Sequence, residues 1–208
     1  MRFPSFFWVL STATTVFCLS CGGGGSTGQT SSGSNGNGSG SGTTAGLDGA
    51  WDITAAGDGN IGPSEMTIAN GVVTGVITSA GEGKTSGDCT KLKDRAEFKL
   101  TFEGNALSGT ITEIREYEGG DTCPGNKNEI TPITGSRTNA GSGLTGEWEV
   151  KVGDDPAFIV DIDGLTAKAW DKKAKADGDE ATVNASVAGG NATVSATRDE
   201  LSFAARKR

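Results

Sequence analysis

Residues 65–78 read EMTIANGVVTGVIT, and this stretch decides the fold. Apolar and polar residues alternate on both sides of Asn70-Gly71, which is the pattern of strands with one buried face. The Asn-Gly pair is favoured in two-residue type I′ turns because both turn positions require a positive φ. We therefore predict an antiparallel hairpin between Glu65–Ala69 and Val72–Thr78.

The same pattern recurs along the chain, with Gly, Asn and Asp between short alternating runs and almost no helical periodicity. Phe98, Leu100 and Phe102 share one face of a strand, and residues 103–105 turn the chain toward Leu107. We predict an all-β domain, an antiparallel up-and-down meander of about 10–12 short strands that forms a barrel or a barrel-like sandwich. Closure has a physical motive, because an open sheet leaves two edges free to pair with other chains.

The sequence motif that begins the meander occurs twice in the chain. Residues 144–149 (LTGEWE) match residues 47–52 (LDGAWD) at the Leu, the Gly, the Trp and the final acid. Each half then offers a Trp-bearing strand, two hairpins and a closing strand, so we predict two tandem repeats, 47–138 and 144–208, within a β domain of residues 47–208. Trp51 and Trp148 are predicted to be structural aromatic anchors. One closed barrel, a sandwich and two small β domains all remain open at this stage.

Each repeat opens with a Gly-x-Trp motif, at Gly49-Ala50-Trp51 and at Gly146-Glu147-Trp148. A Gly-x-Trp start followed by hairpins resembles the opening of calycin barrels, the lipocalins and avidins. The resemblance implies that each tryptophan packs at one end of the barrel and helps to close it. It also implies an alternative function, the carriage of a small apolar ligand. Two copies depart from the usual single copy, and the many small residues that face one another argue against a wide cavity.

The first 21 residues have the zones of an export signal. Met1-Arg2 is positive, Phe3–Leu19 is apolar, and Ser20 is a small residue directly before Cys21. This arrangement resembles the lipobox of bacterial lipoproteins, although Cys18 occupies the position where that family usually has Leu. The resemblance implies a signal peptide over residues 1–20, lipidation of Cys21, and attachment to a bacterial membrane, with the outer membrane or the cell surface favoured. The alternative is an uncleaved signal anchor, since the apolar run approaches the ~20 residues that a spanning helix needs.

Residues 21–46 link the leader to the β domain. Apart from Cys21 they are almost entirely Gly, Ser, Thr and Asn and carry no charge. Such a segment cannot bury enough apolar surface to offset its ordering entropy, so we predict a disordered linker. A phosphate-binding Gly-rich loop is the alternative, but neither a preceding strand nor a Gly-Lys-Ser/Thr motif supports it.

The composition narrows the range of chemistries. The net charge of −8 repels nucleic acid, so no nucleic-acid partner is expected. The chain has no histidine, which removes the commonest general base and zinc ligand and every Ser-His-Asp arrangement. We expect no catalytic residues, no cofactor and no metal site. Acidic clusters at residues 154–155, 161–163 and 177–180 offer oxygen atoms for calcium, but none of them has the spacing of an EF-hand loop.

Cys89 and Cys123 are the cysteines outside the leader. Export would place them in an oxidising compartment, where we predict a structural disulfide bond. In a meander their two connections, residues 79–95 and 119–129, emerge at the same end, and long loops on a rigid frame often carry function. We therefore expect a non-enzymatic, lipid-anchored envelope protein for binding or scaffolding, with these loops as the first candidate surface. The expected partners are the membrane, through the N-terminal lipid, and either an envelope protein or a small apolar ligand.

Overall fold

A computed structural model describes residues 48–55, 61–121, 123–140, 144–163, 166–188, 190–196 and 203–208. They form thirteen β-strands and one short helix. The strands are β1 (Gly49–Ala55), β2 (Ser64–Ala69), β3 (Val72–Thr78), β4 (Thr85–Ser86), β5 (Cys89–Glu103), β6 (Ala106–Gly119), β7 (Lys127–Arg137), β8 (Gly146–Val152), β9 (Phe158–Asp163), β10 (Thr166–Asp171), β11 (Val183–Ala188), β12 (Asn191–Ala196) and β13 (Phe203–Lys207), and the helix is α1 (Lys172–Asp177).

The strands close into an antiparallel barrel of 12 strands in meander order. Two pairings complete the ring: β13 joins β1, and β3 joins β5 past the two-residue β4. The all-β, up-and-down prediction is confirmed. Residues 47–138 supply six barrel strands, β1, β2, β3, β5, β6 and β7, and residues 144–208 supply the other six, β8–β13. The predicted first hairpin forms with Asn70 at φ 52° and Gly71 at φ 76°.

The barrel interior is filled with apolar side chains. Alternate residues of the strands point inward, as in the buried-exposed-buried pattern of β2 and β11. Trp51 is 1% exposed, and Trp148 is fully buried. The largest fully buried side chains lie on β1, β2, β5, β6, β8 and β9, whereas β10–β13 contribute mainly alanines and valines to the core. Large and small side chains therefore share one continuous core.

Three inward-facing glycines make room for large neighbours where the wall bends. A Cβ atom at Gly75 would lie 2.4 Å from the ring of Phe98, and one at Gly109 would lie 2.1 Å from the carbonyl oxygen of Lys99. At Gly135 a Cβ atom would lie 3.1 Å from the carbonyl oxygen of Glu149 and 3.2 Å from the side chain of Leu107, a tighter contact than usual. A larger residue at Gly75 or Gly109 would therefore displace its neighbours, and one at Gly135 would need them to shift slightly.

The two ends of the barrel differ. Because consecutive strands run in opposite directions, their connections alternate between the ends. At one end, the turn end, β2, β5, β9 and β11 are each separated from the next strand by two residues, and β7 is separated from β8 by eight. At the other end, the loop end, β1, β3, β6, β8, β10 and β12 end, and the intervals to the next barrel strand are longer. The chain enters β1 and leaves β13 at the turn end.

At the loop end, three strands extend beyond the closed part of the barrel. This extension, the wing, consists of Cys89–Asp94 of β5, Arg115–Gly119 of β6 and Lys127–Pro132 of β7. The prediction of loops over residues 79–95 and 119–129 is wrong at Thr85–Ser86, Cys89–Arg95, Gly119 and Lys127–Glu129, which lie in strands. In the strand segments of the wing charged residues, rather than apolar ones, alternate along the inner face. The wing lies outside the apolar core, and cross-strand ion pairs hold its strands together.

The helix α1 was not predicted either, since the sequence has almost no helical periodicity. The Asp171 side chain accepts hydrogen bonds from the backbone N–H groups of Lys173 and Ala174, and Gly178 ends the helix in the left-handed conformation. These capping residues stabilise a single turn and a half that buries none of its own residues. No helix in the described part of the chain has the length and apolar character needed to cross a bilayer.

Candidate binding surface

A disulfide bond ties the outer part of the wing together. Cys89, the first residue of β5, is bonded to Cys123 in the connection between β6 and β7, with 5.4 Å between their Cα atoms. The predicted pairing is therefore confirmed, as is the prediction that both cysteines lie at one end of the meander. Cys89 also pairs with Gly119 in the ladder, so the bond fixes the β6–β7 connection against the edge of β5.

A series of ion pairs crosses the inner face of the wing, on the same side of the sheet as the core residue Ile111. This ion-pair ladder runs across all three strands, through Lys91–Asp94 at 2.9 Å, Arg115–Asp94 at 3.5 Å, Arg115–Glu113 at 3.9 Å, Lys127–Glu113 at 2.7 Å and Lys127–Glu129 at 2.6 Å. A cavity of about 30 Å³ lies where the ladder meets Ala96 and Ile111 of the core. The apolar interior therefore gives way at the loop end to a charged, concave surface.

The electrostatics of the ladder centre on Lys127. Hydrogen bonds from its ammonium group to Glu113 and Glu129 raise the pKa of Lys127, and the same contact lowers the pKa of Glu129. Glu113 is the most buried partner, with 14% of its side chain exposed. Lys127 and Glu129 therefore stay charged at neutral pH, and the surface offers fixed positive and negative charges to a partner.

The other side of the wing is braced by Glu82 in the connection between β3 and β4. Its carboxylate accepts hydrogen bonds from the guanidinium of Arg95, at 2.6 and 3.1 Å, and from the backbone N–H of Asp94, at 2.9 Å. Two-point binding of this kind fixes orientation as well as distance. Lys93 and Glu116 form a further pair across β5 and β6, at 2.7 Å. The connection 79–88 is thus held against the base of the wing.

The two predicted anchors lie at the opposite, turn end. The indole N–H of Trp148 donates a 2.9 Å hydrogen bond to the carbonyl of Leu144, and Phe102 meets its ring edge-on at 5.7 Å. The guanidinium of Arg137 lies 4.9 Å from the centre of the Trp148 ring, and burial lowers the pKa of this arginine.

Trp51 repeats this arrangement, with the Lys207 ammonium 6.0 Å from its ring. In both cases the closing strand of one repeat sets a cation against the first tryptophan of the next half, Arg137 opposite Trp148 and Lys207 opposite Trp51. Both tryptophans are buried in the core, each as the third residue of a strand that begins at the turn end.

A groove of about 360 Å³ lies on the outer wall where β2, β3, β5 and β6 pass Gly75. Its lining is mostly polar: the hydroxyls of Thr67, Thr74, Thr110 and Thr112, the carboxylates of Glu65 and Glu97, and the ammonium of Lys99. Glu65 is already engaged by Arg208 at 2.8 Å. Sequence reasoning missed this groove, because it depends on strands that are distant in the chain.

Cys21, the linker and the signal peptide lie outside the described residues. In the described ranges, no three acidic or cysteine side chains are grouped so as to hold a metal ion, and the acidic clusters at 154–155 and 177–180 stand at the loop end as separate groups. The ladder residues Lys91, Asp94, Lys127 and Glu129 were missed because residues 79–95 and 119–129 were predicted to be loops. The alternating charges of residues 113–116 and 127–129 were the available signal.

Comparison of the chain with protein families, curated proteins and solved structures finds no match. The candidate surface therefore rests on geometry alone.

Proposed function

We propose that this chain is a lipid-anchored protein of the bacterial envelope whose barrel presents the loop end to a protein partner and performs no catalysis. The proposal joins two sets of observations. The leader ends in Ser20-Cys21 and is followed by an uncharged Gly/Ser-rich linker. The barrel places its charged wing far from the strand that the linker would reach.

The observation that carries the proposal is the asymmetry of the two ends. The chain enters β1 at the turn end, where most connections have two residues. The wing, the disulfide bond and the helix α1 all lie at the loop end. A tether at Cys21 would hold the turn end toward the bilayer and leave the loop end facing outward. Outward positions of the wall such as Glu97, Lys99 and Lys168 are charged and exposed, unlike the apolar band around membrane-spanning barrels.

The filled interior favours surface binding over carriage of an apolar ligand. Side chains at the centre of the barrel, such as Val73, Val160 and Ala169, have no exposed surface, so no space remains beside them even for water. A carrier needs a cavity of about 300 Å³ or more. Titration of the purified protein with a fluorescent fatty acid tests this point. We expect no saturable uptake, and stoichiometric uptake that quenches tryptophan fluorescence would replace the proposal with the carrier.

Lipid attachment is tested by growing cells with labelled palmitate. The wild-type chain should incorporate label and sediment with membranes, whereas Cys21→Ala should do neither. Cys18→Ala is the matched control, since it removes a neighbouring thiol without touching the proposed acceptor. Equal labelling of wild type and Cys21→Ala, or loss of labelling in Cys18→Ala alone, would contradict anchoring at Cys21.

Presentation of the loop end is tested with a photo-crosslinking amino acid in intact cells. Leu92 on the wing is 45% exposed and is the probe position, and Asn105 in an exposed turn at the other end is the control. We expect a discrete adduct with an envelope protein from position 92 and none from position 105. Loss of that adduct in Arg115→Glu, which reverses a ladder charge, would tie the contact to the wing. Adducts of equal yield from both positions would refute presentation of one end.

A further inference from the structure

One edge of the wing has no neighbouring strand among the residues that the structure describes. β7 is paired with β6 from Lys127 to Ser136, but with β8 only from Ile133 to Arg137. The carbonyl of Pro132 accepts a hydrogen bond from Gly153 at 2.8 Å, which marks the end of contact with β8. Beyond it, within the described residues, the segment Lys127–Thr131 is a free sheet edge.

The backbone groups at this edge can be assigned. Pro132 directs its carbonyl toward the β8 side, and the direction alternates along an antiparallel strand, so Ile130 and Asn128 direct their N–H and C=O groups to the same side. No described backbone group bonds to them there. Ile130 is also 66% exposed, the most exposed large apolar residue of the described chain. Open edges of this kind bind a further strand.

We propose that this edge pairs with the same edge of a second copy of the chain, as a two-fold symmetric, antiparallel dimer. The charge pattern selects the occupant. Lys127 and Glu129 point to the inner face on either side of Asn128. In an antiparallel dimer with the two-fold axis at Asn128, each Lys127 lies opposite Glu129 of the second copy. The charges of this segment are therefore complementary to those of the same segment in a second chain.

Two neighbouring registers are disfavoured by their contacts. An axis at Glu129 sets two carboxylates opposite each other, and like charges directly opposite are destabilising. An axis at Ile130 sets Pro132, which has no N–H to donate, opposite Asn128 of the second copy. The register centred on Asn128 also makes this residue a hydrogen-bonded pair with itself, in keeping with the direction of its backbone groups. The contact is small, so the dimer is expected to form reversibly and at high concentration.

Disulfide trapping tests the register in the purified full-length chain. Paired residues at the axis have Cα atoms about 5.5 Å apart, within the range of a disulfide bond. We expect Asn128→Cys to form a dimer joined through position 128 under mild oxidation, as identified by non-reducing peptide mapping. Thr134→Cys is the control, because this exposed residue on the same face of β7 lies in the section that β8 covers. Equal cross-linking of the two variants overturns the proposal.

Sedimentation gives an independent readout without new cysteines. The wild type should shift toward twice the monomer mass as its concentration rises. Glu129→Lys sets two cations opposite each other, and Asn128→Pro removes an edge N–H while leaving the bonds to β6 intact, so both variants should stay monomeric with an unchanged far-UV spectrum. A wild type that stays monomeric, or an edge that binds an unrelated extended peptide in place of a second copy, overturns the proposal. Because β7 alone is involved, this outcome is independent of Cys21.

Discussion

Gly109→Ala is the sharpest test of how the barrel wall is built. The new Cβ would lie 2.1 Å from the carbonyl oxygen of Lys99 and 2.7 Å from a methyl group of Leu100. Lys99 and Gly109 are on paired strands, so the carbonyl cannot move without displacing β5 from β6. Overpacking of a core typically costs 1–3 kcal/mol, and contact with backbone places this change at the upper end, about 3 kcal/mol. For a domain of this size that corresponds to a fall in melting temperature of about 6–12 °C.

The measurement is denaturant and thermal unfolding of the two proteins side by side. Gly120→Ala is the matched control, because a Cβ at Gly120 meets nothing within 4 Å and its φ is not in the left-handed region. There the loss of unfolded-state entropy should leave stability unchanged or raise it by about 0.4–1 kcal/mol. If Gly109→Ala lost less than about 1 kcal/mol, or no more than Gly120→Ala, the close approach of β5 and β6 at this bend would be refuted.

Three further predictions concern the disulfide bond, the buried residue Trp148 and the ion pair between Glu147 and Lys175. Replacing Cys89 and Cys123 together by Ser opens a 34-residue loop and should lower the free energy of unfolding by about 3–4 kcal/mol, measured against the oxidised wild type; an unchanged value would show that the bond does not restrain the unfolded chain. Trp148→Phe leaves the carbonyl of the buried residue Leu144 without its hydrogen bond and should destabilise by about 1–3 kcal/mol in urea, whereas Trp170→Phe, whose hydrogen bond is exposed, should cost less; equal losses would contradict the buried hydrogen bond of Trp148. A hydrogen bond from Lys175 of α1 lowers the pKa of Glu147 below its usual 4.5. This contact contributes less than about 1 kcal/mol to the free energy of unfolding. The contribution is complete above pH 4.5 and is lost as the pH falls through the lowered pKa, because the protonated carboxyl no longer forms the ion pair. The stability difference between wild type and Glu147→Gln should therefore shrink on acidification, and a constant difference would contradict the assignment.

Local patterns predicted much of the fold because the core rests on local rules. The alternation around Asn70-Gly71 gave the first hairpin and its register, and the repeated Gly-x-Trp motif located both anchors. The wing escaped prediction for the opposite reason. Lys127 and Glu129 look like solvated loop residues when taken alone, and they favour a strand only because Glu113 lies beside them on β6. The helix was missed because its capping residues, Asp171 and Gly178, lie within a charged segment with no apolar face.

The class of fold and the pairing of the cysteines follow from the amino-acid sequence alone, because alternation, turn chemistry and the meander's alternating ends all act over short spans of chain. The closure of the two repeats into a single barrel, the packing of its apolar side chains into one core and the unpaired edge of β7 within the described residues emerge only from the folded structure. Those features depend on where β1 meets β13 and where β8 stops following β7, and strand pairings between distant segments leave no local mark in a single chain.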